Sequence, residues 1–292
     1  MHLSLSRLIR YLLIGVAIGS VDLVPGVSGG TLAFVFGLWE RLLESLAILT
    51  SAFRKVIILR FSEAKEELAR LDWLLIVPLG FGVLAALFLG ASLIGTLLDS
   101  NKELVKSFFF GLVVGALPLP FRRIERWNML CISLFILGFA ASFLLSGLSP
   151  QEALEPPWYF VFIGASVSIC ATILPGLSGS FVLLLLGLYE PFIDAIRDRN
   201  LFFVGMFVLG SWFGLTLFVG RVRWLLYNHR DSVLSILLGM MLGGLRVLWP
   251  WQTGSGELFQ LADFNSLLTG LFCMFFGLMA ALVINKFTTS VQ

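Results

Sequence analysis

The sequence has few charged residues and few cysteines. Lys, Arg, Asp and Glu make up 13% of the 292 residues, against about 25% in a typical soluble domain. The net charge of +2 offers no electrostatic basis for binding nucleic acid. Cys131, Cys170 and Cys273 lie in apolar stretches, too far apart for a metal motif. We therefore expect neither a metal site nor a cofactor.

Apolar residues are abundant instead. They form 58% of the chain, aromatic residues form 14%, and the mean hydropathy is +0.96. A single globular core could not bury this many apolar side chains, because most of a folded surface faces the solvent. The solvent must therefore be lipid, which excludes a soluble enzyme, a nucleic-acid binder and a disordered protein. The composition predicts an all-α polytopic membrane protein.

Six charge-poor stretches predict transmembrane helices, since about 20 apolar residues are needed to cross a bilayer as a helix. These spans lie near 73–98, 104–121, 128–147, 200–220, 232–249 and 264–286.

A short motif occurs twice, 150 residues apart. The sequence PGVSG at 25–29 matches PGLSG at 175–179, and GLWE at 37–40 matches GLYE at 187–190. A further pattern, GLxxGxL, begins at Gly111 and returns as GMxxGxL at Gly239. The order of the matches is the same in both halves. The chain is therefore predicted to contain two repeats, 1–150 and 151–292.

The distribution of Lys and Arg predicts that the two repeats have opposite orientations in the membrane. Under the positive-inside rule, three basic segments are cytoplasmic and two segments without Lys or Arg are external: 51–70, 122–126 and 220–230 in the first set, 147–157 and 247–263 in the second. Both termini are then cytoplasmic. The segment 191–200 should be external although it contains Arg197 and Arg199, so its orientation stays open. Inverted repeats are typical of transporters, with the substrate site near the bilayer midplane.

Each copy of the motif lies between apolar arms that are too short to cross a membrane alone. The run 11–24 would measure about 21 Å as a helix, and the run 31–39 is shorter still. Pro25 ends the first arm. Two half-length helices joined by such a loop predict a re-entrant hairpin, at 11–49 in the first repeat and at 158–196 in the second. Irregular backbone inside a membrane needs protein or water around it.

The two loops are candidates for an anion site. Glycine lets the backbone approach a ligand closely, and Ser28 or Thr31 can cap the second arm, whose amide donors and dipole would then attract phosphate or carboxylate. The alternative is that proline and glycine only permit close helix packing. The candidate binding residues are Pro25, Gly26, Ser28, Gly29, Gly30 and Thr31, with Pro175, Gly176, Ser178, Gly179 and Ser180 in the second copy.

Charged residues near the two hairpins are further candidates, because charges within a membrane are costly and usually functional. Asp22, in an otherwise apolar stretch, is expected to relay protons or couple transport. Glu40 and Glu190 form a matched pair with the same expected role, although they could equally be solvated helix ends. Arg41 and Arg246 are candidate phosphate partners.

An enzymatic reading is less favourable. Residues 26–30 also fit the G-x-S-x-G pattern of a serine nucleophile, which requires a base. The two histidines, His2 and His229, lie outside the predicted spans, and the apolar stretches that define those spans contain no lysine. We therefore expect a protein that is not an enzyme.

The motif DLVPGVSGGT at 22–31, followed by GLWE at 37–40 and a degenerate copy at 174–190, resembles the bacterial polyprenyl-phosphate transporter family. The resemblance covers nearly the whole chain. The second copy departs from the first, because Thr172 replaces Asp and Ser180-Phe181 replaces Gly-Thr.

The resemblance implies that the chain moves undecaprenyl phosphate from the outer to the inner leaflet of the bacterial cytoplasmic membrane, which recycles the carrier lipid used in cell-envelope polymer synthesis. The phosphate would bind at the paired hairpin helix N-termini, and transport could be coupled to ions or protons. The alternative is a secondary transporter of a small water-soluble anion. The expected partners are the lipid and the bilayer, and the sequence leaves the coupling ion, the exact lipid and the oligomeric state, including a homo-oligomer, open.

Overall fold

The computed structural model describes residues 2–24, 26–149, 151, 156–252 and 263–289. Over this part of the chain the protein contains helices and no strand, which confirms the all-helical prediction. In chain order the helices are α1 (His2–Asp22), α2 (Gly29–Val35), α3 (Trp39–Ile57), α4 (Phe61–Ala69), α5 (Trp73–Ala116), α6 (Pro118–Arg123), α7 (Met129–Leu145), α8 (Trp158–Ile173), α9 (Gly179–Leu185), α10 (Tyr189–Arg197), α11 (Leu201–Asn228), α12 (Arg230–Leu248) and α13 (Phe264–Thr289).

Several of these helices are long and apolar enough to cross a membrane. The stretches that meet both criteria in the described residues are Trp73–Gly90, Ser100–Arg123, Leu201–Asn228, Arg230–Leu248 and Phe264–Lys286. The first two both involve α5, because the backbone leaves the helical region at Asn101 (φ −142°, ψ 44°). Large apolar side chains such as Phe88 and Phe272 are exposed on the outside, as a lipid-facing surface requires. The chain is therefore a multi-pass membrane protein.

The first arm and its return differ in length from the sequence prediction. The helix α1 begins at His2 rather than near residue 11, since Arg7 is exposed, Arg10 is half-buried and arginine is a good helix former. On the return side α3 continues to Ile57, beyond the predicted limit at 49. The charged helix α4 was not predicted at all, and it packs back on α3 through the ion pair of Lys55 with Glu67.

Glycines at equivalent places in the two halves allow helices to approach closely. A Cβ atom added at Gly82 of α5 would lie 2.2 Å from the carbonyl oxygen of Leu12 in α1. A Cβ atom added at Gly210 of α11 would lie 2.2 Å from the carbonyl oxygen of Phe162 in α8. In the first half, therefore, α1 packs against α5, and in the second half α8 packs against α11.

The remaining helices pair across the two halves. A Cβ atom at Gly111 in α5 would lie 1.9 Å from the carbonyl oxygen of Met274 in α13. A Cβ atom at Gly239 in α12 would lie 2.1 Å from the carbonyl oxygen of Phe135 in α7. Matched glycines of the repeat thus each contact the last helix of the other half. The helix α12 is largely enclosed by protein and forms the wall against which both motif loops pack.

Candidate functional site

The two copies of the motif form short loops with the same backbone conformation. The first motif loop (residues 23–28) joins α1 to α2, and the second motif loop (residues 174–178) joins α8 to α9. Gly26 has φ +95° and Gly176 has φ +92°, a left-handed conformation that glycine adopts without a steric penalty. Pro25 lies outside the described residues. Because the two glycines occupy equivalent positions, the sequence repeat is also a repeat of local geometry.

Serine caps the short helix after each loop. The backbone of Ser28 is extended, and its Oγ accepts a hydrogen bond from the amide of Gly30 at 3.1 Å. The Oγ of Ser178 accepts one from the amide of Phe181 at 3.4 Å and lies 2.8 Å from the Oγ of Ser180. The prediction that Ser28 caps the second arm is confirmed.

The two copies of the motif also contact each other directly. The Oγ of Ser28 donates to the carbonyl oxygen of Thr172 at 3.1 Å, and the amide of Gly176 donates to the Oγ1 of Thr31 at 3.0 Å. The side chains of Ser28 and Thr31 are buried, as is that of Ser178. These bonds join residues 144 and 145 positions apart in the chain. The fold therefore places the two copies of the motif together in the protein interior.

Asp22 occupies a backbone donor at the start of α2. Its Oδ1 accepts a hydrogen bond from the amide of Gly29 at 2.6 Å. Since Ser28 accepts from the next amide, that of Gly30, the first two amides of α2 already have acceptors. The sequence predicts that amide donors of this helix attract an anion; in the structure those of Gly29 and Gly30 are bonded to Asp22 and Ser28, because the acidic side chain folds back onto the helix that follows it.

The second half has an uncharged counterpart of this contact. A Cβ atom added at Gly179 would lie 2.0 Å from the Oγ1 of Thr172, just as one added at Gly29 would lie 2.6 Å from Asp22. The Oγ1 of Thr172 donates to the carbonyl oxygen of Ser168 at 3.0 Å. Position 22 and position 172 thus lie against the first residue of the following helix, but only the first carries a negative charge.

The side chain of Trp39 and the helix α12 both hold the two copies of the motif in place. Trp39 donates its indole Nε1 hydrogen to the buried carbonyl oxygen of Ile173 at 2.8 Å. A Cβ atom added at Gly26 would lie 2.1 Å from Cγ1 of Val247 in α12, and one added at Gly244 would lie 2.4 Å from the carbonyl oxygen of Gly176. Both loops are therefore held against α12, which limits their freedom.

Glu40 lies in an ion-pair network away from the motif loops. Its Oε1 is 2.8 Å from Nη2 of Arg230 and 3.4 Å from Nη1 of Arg123. These contacts bring together the start of α3, the end of α6 and the start of α12. We call this end of the molecule, which contains Glu40, Arg123 and Arg230, the Arg-rich end. The structure does not bring Glu40 into contact with either loop in the part of the chain it describes.

Arg41 and Glu190 are also remote from the loops. Arg41 pairs with Asp72 and donates to the hydroxyl of Tyr11 at 3.1 Å, so it lies at the Arg-rich end as well. Glu190 is exposed in the first turn of α10. Neither residue has a described contact with residues 23–28 or 174–178.

Arg246 lies on α12, next to the residue that contacts Gly26. Its guanidinium stacks 4.6 Å from the ring centroid of Phe143 and donates to the carbonyl oxygen of that residue at 3.1 Å. Its Nε is buried and has no hydrogen-bond partner among the described residues. Lys106, which the sequence analysis missed at the edge of an apolar stretch, donates to Gln252 at 3.3 Å. Both Arg246 and Lys106 lie among apolar residues in the sequence, so their positions did not indicate these contacts.

Ser28 has the environment of a structural serine. Its described hydrogen bonds are with backbone groups of Gly30 and Thr172, and neither group is a base. His229 precedes α12, beside the ring of Trp224. In the described residues no cluster of three His, Cys, Asp or Glu side chains could hold a metal ion.

Multiple apolar helices around two copies of the motif that are hydrogen-bonded to each other place this chain among polytopic helical membrane proteins. It belongs to the undecaprenyl phosphate translocase-like family, whose model matches residues 18–262. A polyprenyl-phosphate transporter of Vibrio cholerae serotype O1 is 36% identical over 82% of this chain and 76% of the relative. A polyprenyl-phosphate transporter of Staphylococcus aureus is 26% identical over 81% of this chain and 84% of the relative. No solved structure matches.

Proposed function

We propose that this protein translocates undecaprenyl phosphate from the outer to the inner leaflet of the bacterial cytoplasmic membrane, as a transporter without catalytic activity. Membership of the undecaprenyl phosphate translocase-like family supports this. So do two relatives that carry the name polyprenyl-phosphate transporter. The carrier lipid would thereby be recycled for cell-envelope polymer synthesis.

The contact between the two copies of the motif carries the proposal for the binding site. The lipid phosphate would bind beside these bonds, near the starts of α2 and α9, contacted by the loop residues with Ser28 and Ser178. Amides and hydroxyls at a helix start are suitable phosphate donors. The apolar tail would stay in the lipid, and only the headgroup would cross the interior. Arg246, one residue from the loop contact at Val247, would provide positive charge.

Asp22 is the proposed coupling group. In the structure its carboxylate holds the amide of Gly29, which is a donor that a phosphate oxygen would use. Phosphate and carboxylate would repel each other at this short range, so protonation or displacement of Asp22 would accompany headgroup binding. Glu40 and Glu190 would act outside the loops, Glu40 through its two arginines.

We also propose that each motif region is a re-entrant hairpin and that the two repeats are inverted. The bond between Arg41 and Tyr11 supports the first hairpin, because it brings its two ends to the same end of the molecule. For the second, α9 and α10 meet at an angle of 102° across a short break. The Arg-rich end would be cytoplasmic under the positive-inside rule, with both termini on that side.

The experiment is a leaflet assay in proteoliposomes that contain the purified full-length chain and undecaprenyl phosphate. The protein should speed the loss of the lipid from the outer leaflet, and the Ser28→Ala, Ser178→Ala double variant should be at least about tenfold slower, as expected when hydrogen bonds to a charged group are lost. Ser133→Ala is the control, because Ser133 is exposed on α7 and donates within its own helix. Equal rates with and without protein would overturn the proposal. Uptake of inorganic phosphate without lipid transfer would indicate a small-anion transporter instead.

A further inference from the structure

A polar cavity separates α3 from α11 at the Arg-rich end. Its volume is about 770 Å³, within the range of about 300–1,000 Å³ typical of ligand pockets. It is distinct from the motif loops, since none of residues 23–28 or 174–178 lines it. No pattern in the sequence indicates this cavity, because its two walls are more than 150 residues apart in the chain.

The cavity is rich in guanidinium groups. Arg54 lies on the α3 wall, Arg223 on the α11 wall, and Arg230 at the start of α12. Arg230 is paired with Glu40, whose carboxylate also binds Arg123. The guanidinium groups of Arg54 and Arg223 have no ion-pair or hydrogen-bond partner in the described structure. Two facing arginines with unused donors suit a phosphate group, which guanidinium binds through paired hydrogen bonds.

The acidic residues of the cavity do not cancel this charge. Glu40 and Glu44 also line it, but Glu40 is shared by two arginines. Counting Arg54, Arg223 and Arg230 against these two acids leaves a formal charge of +1 on the lining itself. Arg123, bound to Glu40 from outside the lining, adds a further positive charge.

The cavity borders the surface that would face lipid. Trp224 and Tyr227 line it and are 59% and 90% exposed, and such aromatic residues favour the headgroup level of a bilayer. About two and three helical turns before Trp224 on α11, Leu217 and Phe213 are also exposed. A lipid whose tail lies beside α11 could therefore place its headgroup between α3 and α11 while its tail remains among apolar side chains.

A short chain of contacts connects the cavity with the motif loops. Glu40 on its lining follows Trp39, whose indole donates to the carbonyl oxygen of Ile173, the last residue of α8 before the second motif loop. A headgroup leaving the loops toward the Arg-rich end would thus reach this cavity beside α3.

We propose that the cavity between α3 and α11 is a second binding site for the phosphate headgroup of the carrier lipid, held by Arg54 and Arg223 after the headgroup leaves the motif loops. This inference rests on the proposed function, because it assigns the same lipid to both sites. Glu40 is then a positioning residue that holds Arg230 at the edge of the cavity.

The experiment counts bound lipids on the purified full-length chain in nanodiscs by native mass spectrometry. The probes are undecaprenyl phosphate, undecaprenol without phosphate, and inorganic phosphate. The wild type should bind two molecules of undecaprenyl phosphate. The Arg54→Gln, Arg223→Gln double variant should lose one, with its affinity weakened at least about tenfold. The Ser28→Ala, Ser178→Ala variant should lose the other.

Arg221→Gln is the matched control. Arg221 lies two residues from Arg223 on the same helix, carries the same charge, does not line the cavity and donates to the carbonyl oxygen of Leu217. It should bind two lipids like the wild type. Both variants should retain the wild-type thermal stability, since the replaced side chains are exposed.

The outcomes separate this inference from the proposed function. Equal binding by the double variant and by Arg221→Gln would overturn the cavity site. Binding of inorganic phosphate without the lipid, lost in the double variant, would overturn its assignment to a lipid headgroup. Loss of one lipid in the double variant, from a wild type that gives no leaflet transfer, would support the cavity site and refute the proposed transport.

Discussion

The carboxylate of Asp22 accepts a hydrogen bond from the backbone amide of Gly29 at 2.6 Å. This bond joins the end of α1 to the start of α2 across the first motif loop. The Asp22 carboxylate therefore occupies a backbone amide to which an anionic substrate would otherwise bind. The corresponding position of the second repeat, Thr172, has no charge, so the two loops are not equivalent in what they can bind.

Asp22→Asn should reduce the dependence of transport on pH, because the side chain keeps its shape and an acceptor oxygen but can no longer exchange a proton. The loss of a charge-assisted hydrogen bond should lower the free energy of unfolding by about 1 kcal/mol. The measurement is the leaflet assay across a pH series. Asp72→Asn is the control, since Asp72 also accepts from a backbone amide, that of Leu75, but lies remote from the loops. An unchanged pH profile in Asp22→Asn would remove Asp22 from any coupling role.

Gly29→Ala and Gly179→Ala should both destabilise the protein. The new methyl group would lie 2.6 Å from a carboxylate oxygen of Asp22 in the first case and 2.0 Å from the Oγ1 of Thr172 in the second. We expect a loss of about 1–3 kcal/mol, typical of overpacking in a tight interior, measured by thermal unfolding in detergent. Gly80→Ala should be neutral, because nothing lies within 4 Å of its added Cβ.

A second substitution tests the cause of this effect. Thr172→Ala should restore part of the stability lost in Gly179→Ala by removing the hydroxyl that the methyl group meets. The recovery should be incomplete, because the carbonyl oxygen of Ser168 would still lie 2.6 Å from the added Cβ. If the stability is not recovered at all, the packing of the helices, rather than the hydroxyl of Thr172, causes the loss.

Trp39→Phe should cost about 1–3 kcal/mol of unfolding free energy, because it leaves the buried carbonyl oxygen of Ile173 without its donor. Trp73→Phe is a matched control, since Trp73 makes an exposed bond of similar length, 2.9 Å, to the carbonyl oxygen of Leu68. Water can replace that donor, and the stability should change little. Chemical unfolding followed by fluorescence measures both, and equal losses would contradict a role for burial.

The contact between α3 and α4 should weaken in acid. The hydrogen bond from Lys55 lowers the pKa of Glu67 below its ordinary value. The ionised carboxylate therefore stabilises the folded state at neutral pH, and this contribution is lost as the pH falls through the folded-state pKa. Hydrogen-exchange protection of α4 should stay constant from about pH 7 to about pH 5 and fall below about pH 4, since the ordinary pKa of glutamate is about 4.3. Glu67→Gln should remove this dependence, whereas the exposed Glu66→Gln should retain it.

Features that depend on neighbours in the sequence were predicted well. The apolar excess determines that the solvent is lipid and that the chain is helical, since only internally bonded segments can cross a bilayer. The repeated PGxSG pattern predicted two equivalent loops, and Gly26 and Gly176 have nearly the same φ. The cap by Ser28 was predictable because its partner, Gly30, is two residues away.

Features that depend on distant parts of the chain were not predicted. Lys106 and its partner Gln252 are 146 residues apart, and the apolar residues around Lys106 did not indicate this hydrogen bond. Arg41, a candidate phosphate partner by its position near the motif, binds Asp72 and Tyr11 instead. The helix α3 directs the side chain of Arg41 towards the Arg-rich end, and the order of the residues alone does not show that direction.

By itself, the sequence determined the membrane environment, the two copies of the motif and the local shape of both motif loops, because composition and hydrogen bonds between near neighbours decide these. Only the tertiary structure decided that Ser28 reaches Thr172, that Asp22 holds an amide of α2, and that α3 and α11 enclose a cavity lined by arginines. Each of these depends on how helices pack and how the loops between them turn, and such contacts are fixed by the shapes of surfaces that come together only when the chain folds.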